Sequence, residues 1–312
     1  MNDNIKVAVC SRSFSKNITL RNELLKKYTK VVFNDEELIL DDELLVDFLK
    51  NSTHAIVALE KINSNVLKKL PNLKVISKYG VGLDMIDMKS MEKYKIKLGW
   101  TGGVNCRSVS ELVISLAISL LRHVPESSNE VASGVWRQQI GRQLSEKTIG
   151  IVGCGFVGKD LIRLLKPFNC TILVHDIKSY NDFYARYNVH SVDLNSLLSR
   201  SDIVTLHVPL DSSTKNMITK KHILLMNKNA ILINIARGGL IDEDALKDAL
   251  INRDIYAAAL DVFSNEPPQD RELLSLPNFI PTSHIGGSAQ EAIIEMGRSA
   301  IRGLEVNSIV KG

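Results

Sequence analysis

The chain has 312 residues, which is long for a single hydrophobic core and ample for two domains. Hydrophobic residues make up 45% of it and charged residues 24%, a balance that excludes a disordered or collagen-like chain. The net charge of +4 is small and the basic residues form no stripe, so we expect no nucleic-acid partner.

The cysteines and the apolar segments favour a cytoplasmic protein. Cys10, Cys106, Cys154 and Cys170 have no Cys-x-x-Cys spacing and no nearby histidine, which predicts reduced thiols and no metal site. No apolar signal segment is found at the N-terminus. The longest apolar stretch, residues 112–121, contains two serines and is shorter than the ~20 residues that span a bilayer. We therefore expect a soluble chain with no membrane partner.

Short apolar runs alternate with amphipathic segments from the first residues onward. The predicted strands are 5–9, 30–33, 54–59 and 73–76, and the predicted helices are 20–28, 42–49 and 65–70. This alternation predicts a parallel sheet that helices cover on both faces.

A long apolar helix is predicted next. Ser108 and Glu111 have the spacing of a capping box at its start. Apolar residues follow on nearly all sides of this helix, so we expect it to be buried between domains or subunits.

A second alternation of strands and helices occupies the rest of the chain. Its predicted strands are 148–152, 171–174, 203–206, 230–233, 257–260 and 278–280. They are continuous apolar runs, as central parallel strands require. Residues 292–306 form a predicted amphipathic helix that could return to the first domain.

Residues 153–158 have the spacing G-x-G-x-x-G, directly between a predicted strand and a predicted helix. Gly153 permits a tight turn, Gly155 lets the backbone approach a pyrophosphate, and Gly158 lets helix and sheet pack closely. Asp176 ends the next strand, where its carboxylate would accept hydrogen bonds from ribose hydroxyls and repel a 2′-phosphate. This pattern predicts an NAD site with the phosphates at the helix N-terminus. A glycine-rich turn without a ligand is the alternative.

Four further blocks resemble the D-2-hydroxyacid dehydrogenase family, and the resemblance extends over essentially the whole chain. They are residues 78–84 (KYGVGLD), 235–242 (IARGGLID), 261–267 (DVFSNEP) and 283–288 (SHIGGS). Within the family the chain is most similar to D-3-phosphoglycerate dehydrogenases, and we expect it to lack the C-terminal regulatory domain that some of them carry.

This resemblance implies an α/β fold in which a Rossmann-type NAD-binding domain is inserted into a smaller, flavodoxin-like α/β substrate domain. We accordingly assign residues 1–99 and 286–312 to the substrate-binding domain and residues 100–285 to the NAD-binding domain. The resemblance also implies a homodimer, NAD as cofactor, and hydride transfer between the nicotinamide and a small D-2-hydroxy acid or 2-oxo acid.

The resemblance assigns the catalytic roles to Arg237, Glu266 and His284. Arg237 would hold the substrate carboxylate with its planar fork of donors. His284 would donate the proton in reduction and remove it in oxidation, and Glu266 would accept from its other ring nitrogen. The alternatives are a surface ion pair for Arg237, a structural role for His284, and a helix-flanking charge for Glu266.

Further contacts are expected to cofactor and substrate. The predicted cofactor-binding residues are Gly153, Gly155, Phe156, Val157, Gly158, Asp176, His207, Val208, Pro209, Ala236, Arg237, Asp261, His284 and Gly286. The predicted substrate-binding residues are Tyr79, Val81, Gly82, Asn105, Arg237 and His284. The backbone N–H groups of Val81 and Gly82 would bind the carboxylate, and Asp261 would contact the nicotinamide carboxamide.

The chain departs from its relatives at positions that bear on the substrate. Trp100 stands where relatives often have asparagine and would reshape or narrow the substrate cleft, and Ser283 replaces a usual proline. Phosphoglycerate dehydrogenases resemble one another in an Arg-Ser pair where this chain has Val-Ala-Leu-Glu at 57–60, and Glu60 would oppose a phosphate. We therefore expect an unphosphorylated 2-oxo acid such as glyoxylate, hydroxypyruvate or a branched analogue. A 3-phosphoglycerate dehydrogenase and a non-catalytic, NAD-sensing binding protein are the alternatives.

Overall fold

The computed structural model describes residues 4–309 and divides the chain into two compact units. Unit 1 comprises Met1–Asn105 and Gln290–Gly312, and unit 2 comprises Cys106–Ala289. The chain crosses from unit 1 to unit 2 after Asn105 and crosses back after Ala289. Both crossings lie a few residues later than the boundaries expected from the sequence. At the first crossing the Trp100 indole donates to the Val81 carbonyl (3.0 Å), which keeps that segment with unit 1.

Unit 1 is a six-stranded sheet with helices, numbered here along the whole chain. Its strands are β1 (Lys6–Val9), β2 (Lys30–Phe33), β3 (His54–Val57), β4 (Val75–Lys78), β5 (Lys97–Gly99) and β13 (Ser308–Ile309). Its helices are α1 (Arg12–Lys16), α2 (Ile18–Leu25), α3 (Asp42–Leu49), α4 (Ser64–Leu67), α5 (Met88–Lys93) and α14 (Gln290–Gly303). The strand order is β13-β5-β4-β3-β1-β2, with only β13 antiparallel to its neighbour. Without β13 this is the flavodoxin-like order, whose crevice lies at the carboxyl ends of the strands.

The last helix, α14, packs on the sheet of unit 1 at backbone distance. A Cβ added to Gly99 would lie 2.1 Å from the carbonyl oxygen of Gly303, so neither the helix nor the strand tolerates a side chain where the two are in contact. Beside it, the Ser77 hydroxyl donates to the Ala300 carbonyl at 2.6 Å. The C-terminal helix thus belongs to the first domain, although the intervening residues form a separate unit.

Unit 2 is a seven-stranded, all-parallel sheet with helices. Its strands are β6 (Thr148–Val152), β7 (Thr171–His175), β8 (Val189–Ser191), β9 (Ile203–Leu206), β10 (Ile231–Asn234), β11 (Ala257–Leu260) and β12 (Phe279–Pro281). Its helices are α6 (Cys106–Leu121), α7 (Val124–Ala132), α8 (Phe156–Leu165), α9 (Asn181–Tyr187), α10 (Leu194–Arg200), α11 (Lys220–Ile223), α12 (Glu243–Ile251) and α13 (Arg271–Leu274). The order β8-β7-β6-β9-β10-β11-β12 is the doubly wound Rossmann order with one added strand. The predicted fold class is confirmed.

Helix α6 differs from its prediction at the start. It begins at Cys106, so Ser108 lies inside the helix and caps nothing. Its hydroxyl instead donates to the Gly286 carbonyl at 2.6 Å, because the loop after β12 approaches this turn. The capping-box prediction was wrong. The apolar face of α6 packs into the core of unit 2.

No single helix among residues 4–309 is long and apolar enough to span a membrane. Helices α6 and α7 reach the length and apolar composition of a membrane span only when they are taken together, and they are bent by 62° relative to each other.

Candidate active site

The glycine-rich turn joins β6 to α8. Gly153 has a φ of +98°, and a Cβ there would lie 2.6 Å from the His207 carbonyl oxygen. A Cβ on Gly158 would lie 2.2 Å from the carbonyl oxygen of Gly153. Packing inside unit 2 therefore requires both of these glycines. Gly155 differs, because a Cβ there would meet no protein atom within 4 Å, and the room beside it is open to a ligand.

The groups around this turn fit a dinucleotide. The first turn of α8 leaves backbone N–H groups without intrahelical acceptors, which favours phosphate. Asp176 follows β7, where its Oδ2 accepts from the N–H of Cys154 (2.6 Å) and its Oδ1 from that of Lys178 (2.7 Å). These bonds hold a carboxylate at the edge of the turn. In this position it can accept hydrogen bonds from ribose hydroxyls and would repel a 2′-phosphate. Phe156 is exposed and Val157 half-buried at the same helix end.

His207, Val208 and Pro209 follow β9, the strand beside β6. The His207 N–H donates to the carbonyl of Val152 (2.7 Å), and its Nε2 lies 3.0 Å from the Thr205 hydroxyl. Burial lowers the pKa of His207 to about 3, so the ring is neutral at physiological pH. This segment forms one wall of the glycine-rich turn.

His284 and Glu266 form a pair at the carboxyl ends of β11 and β12. The His284 Nδ1 lies 2.9 Å from the Glu266 Oε2, and both side chains are about half exposed. The other carboxylate oxygen, Oε1, accepts from the Phe263 N–H at 3.1 Å, which fixes its orientation. Because Nδ1 donates to the carboxylate, Nε2 is the nitrogen left to exchange a proton with a substrate.

Arg237 lies in the turn after β10, with its side chain half-buried. Asn234, the last residue of β10, holds the turn. Its Nδ2 donates to the Arg237 carbonyl (2.8 Å) and its Oδ1 accepts from the Ala236 N–H (3.1 Å). A Cβ on Gly238 would lie 1.9 Å from the Phe263 carbonyl oxygen. The arginine turn therefore contacts the segment that orients Glu266. Asn234 was not predicted from the sequence, although a strand-terminal asparagine before a turn was the available signal.

A cavity of about 650 Å³ opens beside these loops in unit 2. Its lining includes Asp261, Phe263, Glu266, Pro281, Thr282 and His284. A largely apolar wall with a few converging polar groups is the usual character of a small-molecule site.

The predicted carboxylate-binding loop lies in unit 1, after β4. Within the described residues neither Val81 nor Gly82 donates its N–H to a protein acceptor. Two free backbone donors in succession can bind an anion. The Val81 carbonyl accepts from the Trp100 indole, so this departure from the family pattern serves to hold the loop.

Tyr79 lies in the core of unit 1 and not in this carboxylate-binding loop. Its ring is buried in the core of unit 1, edge-on to Phe14 at 5.7 Å, and its N–H donates to the Val57 carbonyl (2.8 Å). Burial raises the pKa of its hydroxyl, which bonds Ser13. We therefore assign Tyr79 to the core rather than to substrate binding. Asn105 is buried and is the last residue of unit 1 before the chain enters unit 2.

Comparison with known proteins agrees with this geometry. Residues 114–286 match the model of the D-isomer specific 2-hydroxyacid dehydrogenase, NAD binding domain. The chain is 34% identical over 292 residues to hydroxypyruvate reductase of Thermotoga maritima, which covers 90% of this chain and 94% of that protein. This chain belongs to the D-isomer specific 2-hydroxyacid dehydrogenase family. It is therefore an NAD-dependent oxidoreductase, as the sequence analysis predicted.

Two further relatives place this dehydrogenase within the family. It is 36% identical over 277 residues to D-3-phosphoglycerate dehydrogenase of Methanocaldococcus jannaschii, 88% of this chain but 52% of that protein. The chain thus spans about half the length of that relative. A structure from Polaromonas sp. JS6 66, assigned to the D-isomer specific 2-hydroxyacid dehydrogenases, superposes with a TM-score of 0.88 at 30% identity, covering 96% of this chain and 95% of that one.

The carboxylate of Asp176 predicts a preference for NADH over NADPH. Asp176→Ser should narrow the ratio of the two dissociation constants by about tenfold, since a hydrogen bond to a charged group is worth ~1.5–3 kcal/mol. Fluorescence titration with each cofactor measures the ratio. Asp182→Asn, an exposed acid on α9, is the control. Tighter binding of NADPH than NADH by the unaltered protein would refute the assignment.

The pair of His284 and Glu266 predicts a separable effect on proton transfer. His284→Ala should lower turnover by about 10²- to 10⁴-fold, the usual contribution of a positioned proton donor, while NADH still binds. In Glu266→Gln the protonated ring loses its anionic partner. As the pH rises, the rate of reduction should therefore be lost at a lower pH than in the unaltered enzyme. Steady-state rates across pH test both. Wild-type turnover in His284→Ala would remove that residue from the mechanism.

Proposed function

We propose that the protein interconverts a small, unphosphorylated D-2-hydroxy acid and its 2-oxo acid. The observation that carries the proposal is the pair of His284 and Glu266, 2.9 Å apart, with the loop of Glu266 in contact with the turn of Arg237. This reaction class requires one group that exchanges a proton and one that orients a carboxylate. The carboxyl edge of the sheet in unit 2 supplies candidates for both.

NAD, when bound, supplies the hydride in reduction and takes it in oxidation. His284 donates a proton from Nε2 to the carbonyl oxygen in reduction and removes it from the hydroxyl in oxidation. Glu266 keeps the ring in the tautomer with Nδ1–H and stabilises the charged ring. Asn234, through the Arg237 turn, acts by positioning and not by contact with substrate.

Arg237 orients the acid in this proposal. A guanidinium binds a carboxylate through two parallel donors and remains charged at any relevant pH. In unit 1, the free N–H groups of Val81 and Gly82 are a second candidate for binding a carboxylate. We assign unit 1 to substrate binding on this basis.

The charges of the chain favour a substrate without phosphate. Glu60 accepts a hydrogen bond from the Ala58 N–H, so the end of β3 presents a carboxylate where a phosphate would need donors. The two cations that could compensate for Glu60 already donate to acceptors of the protein. Lys78 donates to the Ala58 carbonyl, and Arg107 forks onto the buried Asp160 at 2.9 and 3.0 Å.

The relatives leave two substrate classes open. The Thermotoga relative, which this chain matches over 94% of its length, is named a hydroxypyruvate reductase and favours our proposal. The Methanocaldococcus relative is named a D-3-phosphoglycerate dehydrogenase at slightly higher identity. Phosphoglycerate oxidation is therefore the second candidate function, and the charges described above argue against it.

We also propose that the enzyme works as a cytoplasmic homodimer. The segment after α7 exposes two large apolar side chains, Trp136 (84%) and Ile140 (95%), which a second copy of the chain would cover. The four cysteines are free thiols, as in a reducing compartment.

Replacing Arg237 tests the carboxylate contact. Arg237→Lys should raise KM for the 2-oxo acid by about tenfold or more, because an ammonium cannot reproduce the two-point fork, and NADH affinity should stay within threefold of wild type. Arg253→Lys, at an exposed arginine before β11, is the matched control. Unchanged KM and turnover in Arg237→Lys would place the carboxylate elsewhere.

A pair of substrates tests the absence of a phosphate site. Hydroxypyruvate should be reduced with a kcat/KM at least about tenfold above that of 3-phosphohydroxypyruvate, since a phosphate near Glu60 meets like charge. Glu60→Gln should narrow this difference. NADH absorbance under matched conditions gives both values. A clear preference for the phosphorylated compound would instead support phosphoglycerate dehydrogenase activity.

A further inference from the structure

The loop that carries His284 is attached to a single buried residue. Asp261, directly after β11, is 1% exposed. Its Oδ1 accepts from the Thr282 hydroxyl (2.6 Å) and the Ile285 N–H (2.8 Å), and its Oδ2 accepts from the Gly286 N–H (2.7 Å). The backbone carbonyl of Asp261 accepts from the His284 N–H at 2.9 Å. One residue thus receives four hydrogen bonds from the segment 282–286.

The backbone of His284 needs such support. Its φ is +56°, in the left-handed region that non-glycine residues rarely occupy. A residue is held there only when the surrounding contacts over-determine its conformation. A return to an ordinary φ would swing the imidazole away from Glu266. The bonds to Asp261 lie on both sides of His284 and oppose that change.

The far end of the loop is fitted to the same carboxylate. A Cβ on Gly286 would lie 3.1 Å from the Asp261 Oδ2, tighter than an ordinary contact, which explains the glycine. The Gly286 carbonyl is held from the other side by the Ser108 hydroxyl at 2.6 Å.

We propose that Asp261 is a positioning residue, which sets the backbone of residues 282–286 so that the His284 Nδ1 meets Glu266. The inference rests on the proposed role of His284 as proton donor. It differs from the nicotinamide contact that the family resemblance implies for Asp261. A carboxylate has about four acceptor positions, and the loop takes three of them.

A double-mutant cycle separates the two roles. Asp261→Asn places an amide group against backbone N–H donors and should lower kcat by about 10²-fold. In a protein that already carries His284→Ala, the same change should lower kcat by no more than about threefold. The two effects are not additive because the two residues act as a unit. The dissociation constant of NADH should change by less than threefold. Equal losses in both backgrounds, or a tenfold weaker binding of NADH, would overturn the inference.

A milder change keeps the test valid if Asp261→Asn does not fold. Thr282→Val removes one donor to Oδ1 at nearly constant volume and should lower kcat by about threefold or more, with reduction failing at a lower pH, as in Glu266→Gln. Thr282→Ser restores the hydroxyl and should restore both values. Wild-type kcat and pH profile in Thr282→Val would contradict the proposal.

A spectroscopic measurement separates this inference from the proposed function. The ¹⁵N imidazole resonances of His284 report the bond from Nδ1 to Glu266 without turnover. Asp261→Asn should shift the Nδ1 resonance in the direction that Glu266→Gln shifts it, and an unchanged resonance would overturn the positioning role. A shifted resonance together with full turnover in His284→Ala would sink the proposed function alone.

Discussion

Every strand of the sheet in unit 2 runs parallel to its neighbours, and strands β9, β10 and β11 are buried along their whole length. Such strands have no polar face, so their functional groups can lie only where the chain leaves the sheet. The glycine-rich turn, Asp176, His207, Arg237, Asp261 and His284 all follow carboxyl ends of these strands. The direction of the strands alone therefore collects the candidate cofactor and proton-transfer groups at one edge.

Close backbone contacts then convert that edge into a defined geometry. Gly153 and Gly158 bring the turn against its neighbours, and Gly238 brings the arginine turn against the Phe263 carbonyl. Buried polar groups hold what the glycines allow, with Asn234 under the arginine turn and Asp261 under the His284 loop. Since an unpaired buried donor or acceptor is costly, each of these contacts restricts its loop to one arrangement.

Charge pairing decides which cations can meet a substrate. Arg107 is bound in a fork to Asp160, and Lys78 donates to backbone carbonyls. A cation that compensates a buried carboxylate is not free to recruit an anion. The Arg237 guanidinium donates to the Ala236 carbonyl at 2.6 Å, and Asn234 holds the turn that carries it.

The α/β class and the dinucleotide turn could be predicted from the sequence, because strand periodicity and glycine spacing are local properties. The family resemblance supplied the inserted order of the two units and singled out His284 and Glu266. The packing of the folded chain was needed to show that Tyr79 is a core residue and that the Ser108 hydroxyl binds the loop after β12 instead of capping α6. The bonds from residues 282–286 to Asp261 likewise join positions about twenty residues apart. No local pattern encodes such pairs, because the path of the intervening chain sets them.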